Sequence, residues 1–519
     1  MSENVSVFVP LDGLSAPLQP RVAFALGWPV QRVGDVRVLR RSLDARKGRT
    51  PGFHLELLVG EAGEVLASPV PPVAALPHWP QGRPRPNIVI VGSGPAGTWA
   101  ALNFARMGIV GTVVEQGKPV QPRRHDLAKL QRGTLDPASN YCFGEGGAGT
   151  YSDGKLYTRA KDREGVARVL ADLTLFGAPA EIEVESRPHV GSNRLPKVLT
   201  ALREHLESQG VTYRFSSTVS GLRIERGQVR AVRLAGGDEL PADIVILATG
   251  HSARSVYEWC NTAGIAMERK PLAIGVRMEH PQPLINRLQY GSAAEHPALP
   301  PAFYELKARS GWRGVYSFCM CPGGWIVPAA TEPDGVVVNG MSLSRRDSPF
   351  ANSGLVVSVS AEDMGPDSEG VLAGVNLQRQ IEQAIFTAGG GRFVAGAERL
   401  TDFLAGKTSQ SLPATSYHPG IAPASLRELF PASIAAALHE GLEALGRRHP
   451  ILLSPDALLI AGETRTSSPV RLLRDPQTLE SPGVAGLYPV GEGAGYAGGI
   501  VSAALDGARA AESAVRARV

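Results

Sequence analysis

Residues 87–117 read NIVIVGSGPAGTWAALNFARMGIVGTVVEQG, and this stretch decides the fold. The apolar run Ile88, Val89, Ile90, Val91 has the character of a buried parallel strand. It ends in Gly92-Ser93-Gly94-Pro95-Ala96-Gly97, passes into a helix of small residues, and resumes as a second apolar run closed by Glu115 and Gln116. The glycines permit a tight turn, let backbone approach a pyrophosphate, and let helix pack closely on strand. A helix starting at Pro95 presents free N–H groups to phosphate. Glu115 follows Gly97 by eighteen residues, where a carboxylate accepts hydrogen bonds from ribose hydroxyls. A glycine turn without a ligand would leave that acid unexplained, so the stretch predicts a dinucleotide site.

The chain around it has 519 residues, enough for several domains and a large core. Hydrophobic residues make up 43% and charged residues 20%, as in an ordinary globular protein. The formal net charge of +4 is spread without a basic block, which argues against nucleic-acid binding. No uncharged apolar run is long enough to predict a membrane span. The start MSENVSVFVPLDG lacks a basic, apolar leader, so a cytoplasmic location is expected. Four cysteines do not make a disulfide framework.

The pattern divides the chain into four segments. Residues 1–80 read as a small N-terminal α/β domain, with HLELLVG (54–60) alternating as a strand. The proline-rich SPVPPVAALPHWPQGRPRP (68–86) then reads as a linker or an extended surface segment, since each proline removes an N–H. Residues 81–270 form the first part of the nucleotide domain. It contains a helix over 195–209, a strand VTYRF, an antiparallel meander over 217–240 and a buried strand in ADIVILATG that ends at Thr249-Gly250. Residues 271–460 have a mixed texture with many Pro-Gly turns, expected of an inserted α+β cap or substrate domain. Residues 461–519 return to strand, glycine loop and long helix, so the nucleotide domain is discontinuous.

Two more glycine-rich loops point to a long cofactor, FAD rather than NAD. One is Gly144-Glu145-Gly146-Gly147-Ala148-Gly149-Thr150. The other runs from Gly491-Glu492 to Gly498-Gly499-Ile500, where a helix start would aim its positive end at the flavin. The stretches FGEGGAGTYSDGKLYTR (143–159), ATGHSARSVYE (248–258), LAIGVRMEHPQPLIN (272–286), RGVYSFCMCPGGWIVPA (313–329) and the segment from GETRTSSPV (462–470) to Gly507 carry a resemblance along essentially the whole chain. It resembles a bacterial family of FAD-dependent dehydrogenases with no assigned substrate. More distantly it is similar to BaiN-type flavoprotein reductases acting on steroid enones. The resemblance implies α/β architecture: a glutathione-reductase-type Rossmann FAD domain, discontinuous, with an inserted cap and the small N-terminal domain. It implies cofactor contact at Gly92, Gly94, Pro95, Ala96, Gly97, Glu115, Gln116, Gly146, Gly147, Gly149, Thr150, Ser152, Thr249, Gly250, Gly491, Glu492, Gly499 and Ile500. Arg124 is a further adenosine or phosphate candidate, and Val219 a backbone partner for adenine.

A flavin needs an electron source and a sink. No second strand–GxGxxG–helix unit occurs, so NAD(P)H would visit transiently, or a protein partner or the substrate itself would donate. The single Cys142 near the first unit excludes a disulfide-reductase helix pair. The CxC at Cys319 and Cys321 lies on a strand-like run, where alternation would put both sulfurs on one face; buried structural thiols and an active-site thiol role both stay open. No further metal ligands accompany it. His418 and Tyr496 are the proton-transfer candidates, alongside His280, Tyr417 and Lys155. The aromatics Trp312, Tyr316, Phe318 and Trp325 suggest a partly hydrophobic substrate, or equally a packed core. The expected function is an FAD-dependent oxidoreductase transferring hydride to or from a small organic molecule. The alternatives are a flavin monooxygenase, or a flavoprotein acting on tRNA, which would require a basic face.

Overall fold

The computed structural model describes residues 2–46, 48–66 and 76–519. Met1, Lys47, Ala67 and residues 68–75 of the proline-rich stretch lie outside the described residues. From Leu76 onward that stretch is neither helix nor strand and turns at Gln81-Gly82: Leu76 and Trp79 pack on the nucleotide-side core, and the Trp79 N–H donates to the Met107 carbonyl at 2.9 Å.

The Asn87–Gly117 motif forms the centre of a five-stranded sheet. Its order is Leu487–Pro489, Ile244–Leu247, Ile88–Val91, Thr112–Val114, Thr212–Arg214, and every neighbouring pair is parallel. Ile88–Val91 and Ile244–Leu247 are buried at every residue, which is why both read as unbroken apolar runs. Helices Pro95–Arg106, Leu195–Ser208, Arg163–Leu175 and Ile500–Arg516 contribute apolar faces to its core. The meander is present as strands Val219–Glu225, Gln228–Leu234 and Glu239–Pro241. It turns at Arg226-Gly227 and at Gly236-Gly237, with Gly227 and Gly237 at positive φ.

A second, seven-stranded sheet is built from Lys307–Ser310, Arg313–Cys321, Phe350–Val359, Leu272–Pro281, Leu458–Glu463, Ala395–Arg399 and Ile421–Pro423, in that order. Its pairs are antiparallel except the last. Helices Ala373–Ala388 and Ala432–Arg448 share its core. Near the N-terminus, Glu3–Pro10, Gly52–Glu61 and Val33–Asp44 make a three-stranded antiparallel sheet, with helix Gln19–Leu26 on its apolar face.

One contact closes the core of the parallel sheet, and a second joins that part to the seven-stranded sheet. The terminal helix lies so close to helix Pro95–Arg106 that a Cβ on Gly507 would sit 1.9 Å from the Ala96 carbonyl oxygen. The second contact is a buried ion triad. Glu382, 1% exposed, accepts from Arg465 at 2.8 and 3.0 Å, from Arg254 at 2.8 Å and from the Thr464 hydroxyl at 2.7 Å. Burial alone would raise its pKa, yet Arg465 and Arg254 outweigh burial and hold it down to about 2.

Two outcomes follow. Gly507→Ala should lower stability by about 1–3 kcal/mol through overpacking, read as a shifted denaturation midpoint. Glu382 has a folded pKa below its ordinary value of 4.5, so its stabilisation is complete above that value and is lost as pH falls towards 2. Glu382→Gln should therefore cost about 3–5 kcal/mol at neutral pH by leaving the buried Arg465 without its anionic partner and Arg254 with Glu332 alone, and should flatten the acid limb of the stability profile between those pH values.

Candidate functional site

A cavity of about 960 Å³ opens where the glycine loops of the parallel sheet meet the seven-stranded sheet. Ligand pockets run to roughly 1,000 Å³, so this one is large. It gathers Gly92, Gly94, Pro95, Ala96, Glu115, Gln116, Gly147, Gly149, Ser152, Val219, Thr249, Gly250, Gly491, Glu492, Gly499, Ile500 and Cys319. Residues some four hundred positions apart in the chain thus share one wall.

Glu115 joins the loops. One carboxylate oxygen accepts from the Ser93 N–H at 3.0 Å and the Ser93 hydroxyl at 2.8 Å. The other accepts from the N–H groups of Gly117 at 2.9 Å and Gly144 at 3.0 Å. Arg123, with no exposed surface, does the complementary task. It donates to the carbonyls of Asn140, Tyr141, Glu145 and Gly147 and to the Thr150 hydroxyl, at 2.8–3.3 Å.

Several expected contacts lie off the cavity, each for a visible reason. Arg124 points outward while its neighbour Arg123 is buried, because helix Val120–Leu130 turns Val120, Arg123, Leu127 and Leu130 inward. That stripe was the signal for Arg123. Gly97 shapes the turn instead of touching the cavity: a Cβ there would stand 1.9 Å from the Gly92 oxygen. Gly146, at φ +76°, and the buried Thr150, whose hydroxyl donates to the Glu145 carbonyl at 2.6 Å, fold the second loop from behind. His418 is exposed, following Tyr417, whose hydroxyl donates to the Phe393 carbonyl. His280 is buried against the Leu452 carbonyl. The Tyr496 ring lies under Arg474, with the guanidinium carbon 3.8 Å from the ring centre, and is partly exposed outside the cavity. Cys321 is buried directly behind Cys319.

Sequence reading missed the ionisable lining: Asp153, His251, Lys270, Glu463 and Arg465. Glu463 and Arg465 lie in the GETRTSSPV stretch, whose charges carry no periodicity that marks a site. Burial pushes the Glu463 carboxyl up to about 7, against the pull of Arg277. The Arg277 Nε stands 2.8 Å from Glu463 Oε2 as an ion pair, misaligned for a hydrogen bond. Burial likewise pushes Glu492 up to about 7 and His251, 3.5 Å from it, down to about 4. Glu463 and Glu492 thus line the cavity with carboxyls raised towards neutrality, whereas His418 and Tyr496 do not line it.

The wall suits a long anionic cofactor by its own chemistry. Helices Pro95–Arg106 and Ile500–Arg516 both begin at glycines with no side-chain cap, and their first residues line the cavity. At Gly250, Gly498 and Gly499 a Cβ would project into open space. Tyr316, Phe318 and Trp312 line the same cavity, whereas Trp325 does not.

Comparison with known proteins agrees with this chemistry. Residues 271–466 match the family model described as "FAD-dependent protein, C-terminal domain-like". A Clostridium beijerinckii protein named only as an uncharacterized protein is 44% identical over 429 residues, covering 82% of this chain and 80% of that protein. A kynurenine 3-monooxygenase from Salinispora arenicola is 30% identical over 186 residues, 32% of this chain and 37% of that protein. Among solved structures, glycine oxidase from Geobacillus kaustophilus aligns over 83% of this chain and 95% of its own at 14% identity, with a TM-score of 0.36, too loose a superposition to argue from. Among the described residues no helix is long and apolar enough to cross a membrane.

Arg123→Met should strand several buried carbonyls, cost on the order of 3 kcal/mol, and leave the purified protein depleted of cofactor. Arg124→Ala should change neither property, which thermal melts and absorbance spectra of the two variants will show.

Proposed function

We propose that this chain, related over most of its length to the Clostridium beijerinckii protein and matched over residues 271–466 by the FAD-dependent family model, is an FAD-dependent oxidoreductase that moves hydride between bound FAD and a small, partly hydrophobic organic substrate held in the same cavity. The observation that carries the reading is one cavity with two kinds of wall. One side is glycine backbone and two uncapped helix starts; the other is aromatic and ionisable side chains.

The residues present would hold the cofactor along its length. Gly92, Gly94 and the start of helix Pro95–Arg106 suit a pyrophosphate. Glu115 already accepts four protein donors, about as many as its two oxygens hold, so it would shape the loops around the cofactor instead of binding a ribose hydroxyl, and Val219 lines the same cavity. Gly491, Glu492, Gly499 and Ile500 would meet the far end. Bound FAD supplies reversible two-electron, hydride-level redox chemistry.

The protein's own groups do the rest. Tyr316 and Phe318 offer apolar contact and displace water from the cavity wall. Arg465 is fixed by Glu382 and also donates to the Thr331 hydroxyl at 2.6 Å, so it presents an immobile cation to a substrate oxygen. Glu463 and Glu492 can hold or release a proton near neutral pH. Nothing in the comparisons supports NAD(P)H as the donor.

The test is cofactor release. Heat-denatured protein should yield FAD, identified by mass, at one molecule per chain. FMN, or a colourless protein that gains no absorbance with added FAD, would overturn the reading.

A further inference from the structure

Strand Arg313–Cys321 brings to the cavity a cluster that hydride transfer does not require. Its pairing with Phe350–Val359 slips register between Phe318 and Cys321, and Cys319 sits at φ +47°, a left-handed conformation that non-glycine residues adopt at a cost. The bulge is pinned: Arg277 donates to the Cys319 carbonyl at 2.8 Å. Its effect is to bring both sulfurs to one ammonium group. Lys155 Nζ lies 3.8 Å from the Cys319 sulfur and 3.5 Å from the Cys321 sulfur. Lys155 is itself gripped by Asp153 at 3.2 Å, which Arg346 holds at 2.7 Å.

The Cys321 thiol donates to the Cys319 carbonyl at 3.4 Å. The neighbouring Cys321, with Lys155 and Arg277, draws the Cys319 thiol below the ordinary range in spite of burial. Cys319 and burial push the Cys321 thiol up. The geometry sets two sulfurs beside one ammonium group, Cys319 on the cavity wall and Cys321 buried behind it, and a cation there favours the thiolate from which a disulfide forms. The other cysteines show the contrast. Cys260 is buried in an apolar core that raises its thiol, and Cys142 bonds to the Ala329 carbonyl at 3.6 Å.

We propose that Cys319 and Cys321 are a redox-active dithiol, a second two-electron centre that exchanges electrons with the cofactor of the cavity. In the oxidising direction the Cys319 thiolate and the Cys321 thiol join in an S–S bond. The two electrons and the Cys321 proton pass to oxidised flavin, so charge and atoms balance. In the reverse direction, reduced flavin opens the disulfide. Lys155 neutralises the thiolate, and Asp153 positions Lys155. The electron exchange rests on the FAD reading; the disulfide does not.

The experiment has two arms on the full-length protein. First, the native protein is treated with diamide, denatured in alkylating reagent and digested. The peptide holding Cys319 and Cys321 should be lighter by two hydrogens and unalkylated, and dithiothreitol should restore both thiols. Cys142 and Cys260 should alkylate throughout. Alkylation of both Cys319 and Cys321 after diamide, or linkage of either to another cysteine, overturns the dithiol. Second, the diamide-oxidised, flavin-loaded protein is titrated anaerobically with dithionite. The wild type should consume twice the reducing equivalents of Cys319→Ser and of Cys321→Ser, each of which should consume only what the flavin requires. Equal consumption in all three overturns the exchange. A protein that holds no flavin removes the exchange with the FAD reading, while the diamide arm still decides the dithiol.

Discussion

The cavity depends first on the Glu115 carboxylate. It is buried at the end of a central parallel strand, and it collects donors from three separate segments: the first glycine loop at Ser93, its own strand end at Gly117, and the second glycine loop at Gly144. None of these segments has a regular ladder to satisfy its backbone here, and buried N–H groups left unpaired cost about 1–3 kcal/mol each. One acid therefore supplies the acceptors that allow three loops to converge. Arg123 is its counterpart, supplying donors to the carbonyls of the second loop. Between them they make a wall of backbone with almost no side chain in front of it.

The opposite requirement governs the other side, where the seven-stranded sheet brings side chains. The Arg254–Glu382–Arg465 triad links helix Arg254–Thr262, helix Ala373–Ala388 and the segment after strand Leu458–Glu463. A buried triad is a poor source of net stability, because desolvation offsets most of its attraction. It does specify geometry: Arg465 cannot leave Glu382 without stranding a charge. The same low-dielectric surroundings bring Glu463 and Glu492 towards neutral titration. Geometry and proton affinity thus have a common cause in burial.

What could be read in the sequence was what backbone conformation restricts. Gly92 and Gly499 need positive φ, Gly97 must admit a carbonyl against its Cα, and few other residues satisfy those conditions. The parallel strands were legible because burial on both faces leaves unbroken apolar runs. What could not be read depended on facing and on topology. Arg123 and Arg124 are adjacent and chemically alike, and only the phase of their helix separates a buried clamp from a surface charge. Tyr417 and His418 likewise divide into buried and exposed. Lys155, Glu463 and Arg465 meet only through sheet order, and the Cys319 bulge overrides the strand alternation that two cysteines at i, i+2 would otherwise follow.

The central claim is that this cavity is the cofactor site, and a crystal structure of the protein as purified with its bound flavin tests it most directly. The account predicts electron density for FAD inside the cavity, its pyrophosphate against the Gly92–Ala96 turn and the start of helix Pro95–Arg106, and its ring system beside Gly499 and Ile500. Density for a flavin elsewhere on the molecule, or one lying in the cavity with its phosphates away from that helix start, would contradict it.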